Sequence, residues 1–285
     1  MSNDIIKEVL HKHALWLDNS KGGKRANLKG ANLEKADLKE AELGHAFLQA
    51  ANMSGTVLRY AVLEGAFLDG ANLSNADLHE VDLTDACLKK ANLSRADLSD
   101  SSAMEADLCS AVLRNANLCN ATLWNANLVG ADLTDVTLRG ANLRGANMIN
   151  ATLKGVDLVG VDLADSNLYL AYGLMSPTTF IKEHFERTPD GYIAYAVFKS
   201  QFSDNLKSEI KSGSVVEEEV CFDRREYRAR GINVAPIDWV KANHPDQDIW
   251  RVLIRWEWLP GVCVPFNSDG IIRCERVELL EIVKD

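Results

Sequence analysis

From Leu28 to Leu168 every fifth residue is leucine except at Met53, Ala103 and Met148, so 26 of 29 such positions carry Leu. Two residues before each stands alanine in 22 of the 29 units, with Thr56, Val81, Ser101, Val136, Val156, Val161 and Ser166 in the rest. The register runs from Ala26 to Leu170 without a slip, and no proline falls within it. A period of five fits neither regular element. On an α-helix it turns the leucine by roughly 140° per step and spreads it around the axis. In a flat strand an odd step sends successive leucines to opposite faces.

A chain that turns one corner per unit resolves the conflict, because every Leu and its preceding Ala then point to a common axis. Four sides close a coil of about twenty residues, and coils stack at the strand spacing of about 4.8 Å. Residues twenty apart therefore form columns, and each side can be named by its first leucine: Leu28, Leu33, Leu38 or Leu43. Leu28, Leu33, Leu38, Leu68, Leu108, Leu128 and Leu168 are expected in the core. Gly fills nine of the 29 last positions of the unit, among them Gly30, Gly65 and Gly140, where turns need permissive residues.

The unit reads A-(N/D)-L-x-x, as in Ala26-Asn27-Leu28, Ala36-Asp37-Leu38 and Ala141-Asn142-Leu143. It resembles the pentapeptide-repeat family, which implies a mainly β fold: a right-handed quadrilateral parallel β-helix of about seven coils. The expected organisation is a capping helix and linker over 1–25, the β-helix over 26–170, and a small α+β domain over 171–285.

No stretch approaches the roughly 20 apolar residues of a membrane span, and Lys7-Glu8 interrupts the apolar start at Ile5-Ile6. A cytoplasmic protein with free thiols is expected. Cys109 and Cys119, ten residues apart, fall on opposite sides of the coil and cannot meet. Of the net charge of −10, residues 26–170 carry −8, which argues against nucleic-acid binding by that surface.

Residues 4–18 read as an amphipathic helix with Ile5, Ile6, Val9, Leu10, Trp16 and Leu17 in its apolar stripe, ended by Gly22-Gly23. An open β-helix end exposes leucines and unpaired backbone, and this helix is expected to cover both. His11 and His13 do not share a helix face, so no metal pair is expected. Within the repeat, Ser101-Ser102-Ala103-Met104-Glu105 is the degraded unit. Ala103 leaves a void there unless Met104 swings inward. His45 and His79 have no nucleophile beside them in the repeat register, and no catalytic residue, cofactor or metal is assigned.

Beyond Leu170 the period is lost and all six prolines appear. A helix is expected from Ser176-Pro177 to about Arg187, and a short one over Pro236–Ala242. Strand-like runs cover Tyr192–Phe198, Val215–Cys221, Gly231–Ala235, Ile249–Leu259, Val262–Val264, Ile271–Cys274 and Val277–Val283. In the longest, Trp250, Val252, Ile254, Trp256 and Trp258 alternate with Arg251, Leu253, Arg255 and Glu257, as one buried sheet face requires. Asn267-Ser268-Asp269-Gly270 forms a hairpin turn that would set Cys263 opposite Cys274. With Cys221 or His244 these could hold zinc, but no Cys-x-x-Cys spacing supports it, and Cys221 with His184 carries no signature of a catalytic dyad. Gly191–Tyr195, Arg230–Val234 and Val262–Gly270 resemble an uncharacterised domain that accompanies pentapeptide repeats, a resemblance that implies a boundary and no activity.

Three functions compete: a non-enzymatic protein-interaction module, a DNA mimic that binds or protects a type II topoisomerase such as gyrase, and an enzyme in the C-terminal domain. For mimicry, Asp37, Glu40, Asp77, Glu80, Asp97 and Asp100 form an acidic patch on the Leu38 side, interleaved with Lys39, Arg59 and His79. For interaction, the Leu28 side carries an apolar stripe where outward residues are normally polar. Phe47, Phe67 and Cys87 stack in one column, and Cys109, Val129, Ile149 and Tyr169 in another. Val57, Val62, Val112, Trp124 and Val159 are scattered over the other sides. A soluble monomer rarely leaves such a stripe bare, so it is expected beneath residues 171–285 or in a homodimer. The expected partner is a protein of unknown identity, without nucleic acid or membrane.

Overall fold

The computed structural model describes residues 1–174, 177–198, 211–220, 224, 231–265, 268 and 270–283. It divides into two compact units, Met1–Leu174 and Met175–Asp285. The first begins with helix α1, Asn3–Leu17. Of its expected apolar stripe only Ile6 is buried, and Ile5 is 50 % exposed. The other residue that α1 buries is His13, at 0 % exposure. The helix ends where Asn19 and Gly22 take positive φ and the chain doubles back. Gly23 lies so close to the helix that a Cβ would sit 2.5 Å from the Trp16 nitrogen, so the return is closed to any larger residue.

The repeat then turns once per unit. In most units the alanine N–H that opens a unit bonds the preceding leucine carbonyl, as from Ala31 to Leu28 at 3.0 Å. Every last position from Gly30 to Leu170 has φ between +53° and +73°, the type II turn signature. Twenty of these 29 residues are not glycine, many of them Asn or Asp, which tolerate this region best. Parallel bridges link each middle residue to the one twenty later, from Asn27↔Phe47 to Thr152↔Tyr172. Each coil-to-coil step uses paired bonds such as Leu28 N–H to Phe47 O at 2.7 Å and Phe47 N–H to Ala26 O at 3.0 Å.

The inward Ala and Leu residues form a continuous dry axis. Thr56, Ser101 and Ser166 stand in alanine positions without leaving a buried hydroxyl unpaired, because they donate to the carbonyls of Leu33, Leu98 and Leu163. The first-coil leucines Leu28, Leu33 and Leu38 are buried. Leu168, expected in the core, is only half-buried, since the ladder stops at Tyr172 and no repeat coil follows. Met104 does not swing inward: it is 36 % exposed while Ala103 is buried.

In the second unit, helix α2 (Pro177–His184) leads into strands β1 (Glu186–Arg187) and β2 (Gly191–Val197). Then come β3 (Val215–Glu217), β4 (Ile232–Val234), helix α3 (Ile237–Asn243) and β5 (Ile249–Arg255). Strands β6 (Val262–Cys263), β7 (Ile272–Cys274) and β8 (Arg276–Ile282) complete it. Sheet order is β1-β2-β5-β8-β3 in one sheet and β4-β7-β6 in the other. The core joins Tyr192, Ala194, Val252, Ile254, Val277 and Leu279 to Phe180 and Ile181 of α2.

Several expectations fail here: the helix expected to reach about Arg187 stops at His184, and Glu186–Arg187 is a strand instead. The strand expected to reach Leu259 ends at Arg255, and Trp256–Gly261 is a 3₁₀ helix. Gly191, the first residue of β2, already faces Arg255, so the ladder runs out. Pro260 lacks an N–H and could not extend it. The Trp256 indole N–H instead donates to the Pro189 carbonyl at 2.7 Å. Cys263 faces Arg273, not Cys274, which pairs with Val262. The Ser268 hydroxyl bonds across the turn to the Ile271 carbonyl and accepts the Gly270 N–H. The strand expected over Val215–Cys221 ends at Glu217, and Ser176, Cys221, Asn267 and Asp269 lie outside the described residues.

Candidate interaction surfaces

On the Leu28 side the two aromatic residues meet as the register predicts, with the Phe47 and Phe67 rings 5.5 Å apart. They are not bare. The Arg25 guanidinium lies 4.0 Å from the Phe47 ring, 5.2 Å from Phe67 and 5.4 Å from Trp16. It also donates to the His45 carbonyl at 2.5 Å. Cys87, next in the column, donates its thiol proton to Asp69 at 3.1 Å; burial and that carboxylate push its pKa up, so it is no nucleophile. The second column differs. Cys109, Val129 and Ile149 are half-buried, and Tyr169 is 68 % exposed, beside Leu170 at 61 %.

The Leu38 side brings the acidic patch together and pairs part of it within the chain. Arg59 binds Asp77 at 2.5 Å, and Lys39 approaches Glu40 at 3.1 Å. His79 lies 3.1 Å from Glu80 and 3.7 Å from Asp100. Asp97 accepts the Ser99 N–H and hydroxyl and the Asn117 amide. Burial would raise its pKa, but these bonds and nearby His79 outweigh that and hold it below the ordinary carboxylate value.

One sequence expectation is overturned on this side. Ser99 is one coil beyond His79, and its Oγ lies 3.0 Å from His79 Nδ1. The twenty-residue column could have shown it. The trio does not assemble a nucleophile, because the Ser99 proton goes to Asp97 at 2.7 Å. The surrounding backbone N–H groups of Glu80 and Asp100 are spent on the ladder, leaving none to hold an oxyanion there.

The Leu33 side carries an amide ladder, Asn92 to Asn72 to Asn52 to Asn32, with side-chain bonds of 3.2 to 3.3 Å. Each Oδ1 also accepts the N–H two residues on, which fixes the corner. The Leu43 side shows what the sequence reading missed. Glu42, Glu64, Asp82, Asp85, Glu105, Asp162 and Asp165 all lie on it against one arginine, Arg144. Met104 and Trp124, in adjacent coils of one column, are 36 % and 40 % exposed in its middle.

In the second unit Arg273, fully buried, donates to the Cys263 sulfur at 3.1 Å. Burial pushes the Cys274 thiol far above its ordinary range. Among the described residues no three His, Cys, Asp or Glu side chains gather as metal ligands. Cys221 lies outside those residues, so the Cys221–His184 pairing does too. His184 bonds the Phe180 carbonyl of its own helix at 2.9 Å.

A four-sided coil of twenty residues, turned by left-handed corners around an Ala/Leu axis, defines a right-handed quadrilateral β-helix. The family described as pentapeptide repeats matches in eight copies between residues 24 and 165, and the chain belongs to that family through this array. Among solved structures, a pentapeptide-repeat protein (Rfr23) from the cyanobacterium Cyanothece 51142 is 29 % identical. It covers 57 % of this chain and 98 % of its own, at a TM-score of 0.31. HetL from Nostoc sp. strain PCC 7120, described as involved in heterocyst differentiation regulation, is 28 % identical over 55 % of this chain and 91 % of its own, at a TM-score of 0.17. The plasmid-mediated fluoroquinolone resistance protein QnrB1 is 16 % identical over 51 % and 85 %, at a TM-score of 0.34. None of the curated proteins matches the chain. No described helix is long and apolar enough to cross a membrane.

Proposed function

We propose that this chain is a non-enzymatic protein-interaction module whose β-helix offers a fixed, patterned surface to a protein partner. The observation that carries this reading is the second column of the Leu28 side, where Val129, Ile149 and Tyr169 replace the polar residues usual on outward positions. Exposed Tyr169, Leu170 and Tyr172 extend the apolar surface at the end of the ladder. Contiguous apolar surface on a rigid frame favours association, and aromatic anchors concentrate its energy. The occupant is a second copy of this chain, and dilution, which weakens such an association, tests it.

Ile149→Asp and Tyr169→Asp are expected to dissociate the dimer or to lower its melting temperature by several degrees. Asn115→Asp, an exposed corner on the Leu33 side, should do neither. Light scattering and melting curves identical to the parent in all three variants would overturn the proposal. The duplex-mimic reading is weaker, because Asp77, Asp97 and Glu40 are already engaged by groups of this chain. It requires altered supercoiling or gyrase binding at micromolar protein.

A further inference from the structure

The unit Ser101–Glu105 inverts the logic of the repeat. Every other unit places Leu or Met on the axis, whereas this one buries Ala103 and turns its large apolar residue, Met104, to the outside. An Ala in a leucine column forfeits core packing, and an outward Met adds apolar surface to water. Both changes disfavour the folded rod, so neither is explained by stability.

One coil further on, in the same column, stands Trp124, the sole tryptophan of residues 26–170. The two corners are joined directly, the Glu105 N–H bonding the Trp124 carbonyl at 2.9 Å. The side chains thus leave the rod about one strand spacing, roughly 4.8 Å, apart.

The surroundings of this pair are anionic apart from Arg144, which follows Trp124 in the same column one coil further on. Seven carboxylates against Arg144 and no lysine give the Leu43 side a formal charge of −6, against −4 on the Leu38 side and +1 on each of the other two. Arg144 itself is held by Asp165 at 2.9 Å. On the Leu38 side the carboxylates have Arg59, Lys39 and His79 among them. Asp82, Asp85 and Glu105, next to Met104, have no ion-pair partner among the described residues. Asp85 and Glu105 also stack in one column, the Asp85 N–H bonding the Met104 carbonyl, so two like charges lie side by side without a cation between them.

We propose that the Leu43 side is a docking surface for a cationic protein segment in which arginine or lysine alternates with an apolar residue. The apolar side chain would pack on Met104, and a guanidinium or ammonium would lie over the Trp124 indole within reach of Asp85 and Glu105. A cation on an indole face is favourable, and more so once the carboxylates share its charge. The flat side with its fixed columns suits an extended segment, whose own side chains alternate. The inference rests on the interaction-module reading and names the chemistry of a partner on a different side from the apolar stripe.

The probe is a blocked hexapeptide of alternating arginine and leucine, titrated into the full chain by calorimetry, with a glutamate–leucine peptide as control. The arginine peptide is expected to bind and the glutamate peptide not. Trp124→Ala, and separately Asp85→Asn with Glu105→Gln, should each weaken binding by about tenfold. Asp37→Asn with Glu40→Gln, which removes the same charge from the Leu38 side, should change it less than about twofold. Equal loss in both double variants means diffuse attraction to an acidic protein and overturns the site. No binding by the parent, or a dimer that splits on Trp124→Ala, overturns it as well. Ile149→Asp should leave peptide binding intact, so failure of the stripe and failure of this surface are read separately. Unchanged melting temperatures of the exposed-site variants show that loss of binding is not loss of fold.

Discussion

Single residues set the limits of this fold at its ends, and His13 is the clearest case. The fully buried imidazole accepts the Ala26 N–H on Nδ1 at 3.1 Å. It therefore donates from Nε2 to the Gly44 carbonyl at 3.0 Å. Only the neutral ring serves both bonds, because a proton on Nδ1 would confront the Ala26 N–H. Burial lowers its pKa below the ordinary 6.5, and Arg25 from the linker and His45 from the coil push the same way. The folded state thus binds fewer protons than the unfolded one, and stability rises with pH across that window. His13 gives its full contribution above about pH 6.5 and loses it as pH falls towards the depressed value. His13→Leu should cost about 1–3 kcal/mol at pH 8 by leaving Ala26 N–H and Gly44 O unpaired. The gap between parent and variant in urea melts should narrow from pH 7.5 to pH 5. A gap independent of pH would show that the ring is not the titrating group.

At the scale of elements, we propose that α1 caps the first coil and that the degraded unit is a weak point of the array. Deleting residues 2–25 uncovers Leu28, Leu33 and Leu38, each now at most 2 % exposed, at about 1.5–3 kcal/mol per leucine fully exposed. The deletion should aggregate or melt lower, and an equally stable soluble product would assign the helix another role. Ala103→Leu restores the axis and should stabilise by about 1–3 kcal/mol in urea unfolding. A loss instead would mean that neighbouring coils have closed on the small residue. The five-residue period made the coil, the columns and the corner positions legible, because each follows from geometry repeated 29 times. The period was silent on His13 and Arg25, since neither belongs to a repeat unit and both act on residues brought near by the coil. Ser99 beside His79 was readable from the twenty-residue column alone. In the second unit, alternation carried the expected strand past Arg255, because Trp256 packs its ring on Tyr192 at 5.0 Å without being in the sheet. Cysteine pairing failed by one residue for want of the turn's hydrogen bonds.

For the whole molecule, the β-helix distributes chemistry by side. The Leu33 side is an amide ladder, the Leu38 side an acidic patch only partly paired within the chain, the Leu43 side an unbalanced acidic face, and the Leu28 side an apolar stripe. On the proposed function the stripe is occupied when the full chain is in solution. Two native thiols report on it without any mutation. Cys109 lies in the stripe, Cys119 faces the opposite side, and both are half-buried in the isolated chain. Alkylation of the native full chain by a maleimide, followed site by site with mass spectrometry, tests the claim most directly. Occupancy predicts that Cys109 reacts at least about tenfold more slowly than Cys119, and that Ile149→Asp removes most of the difference. Equal rates for the two thiols in the parent, unchanged by Ile149→Asp, would mean that the stripe is open to solvent and would contradict the account.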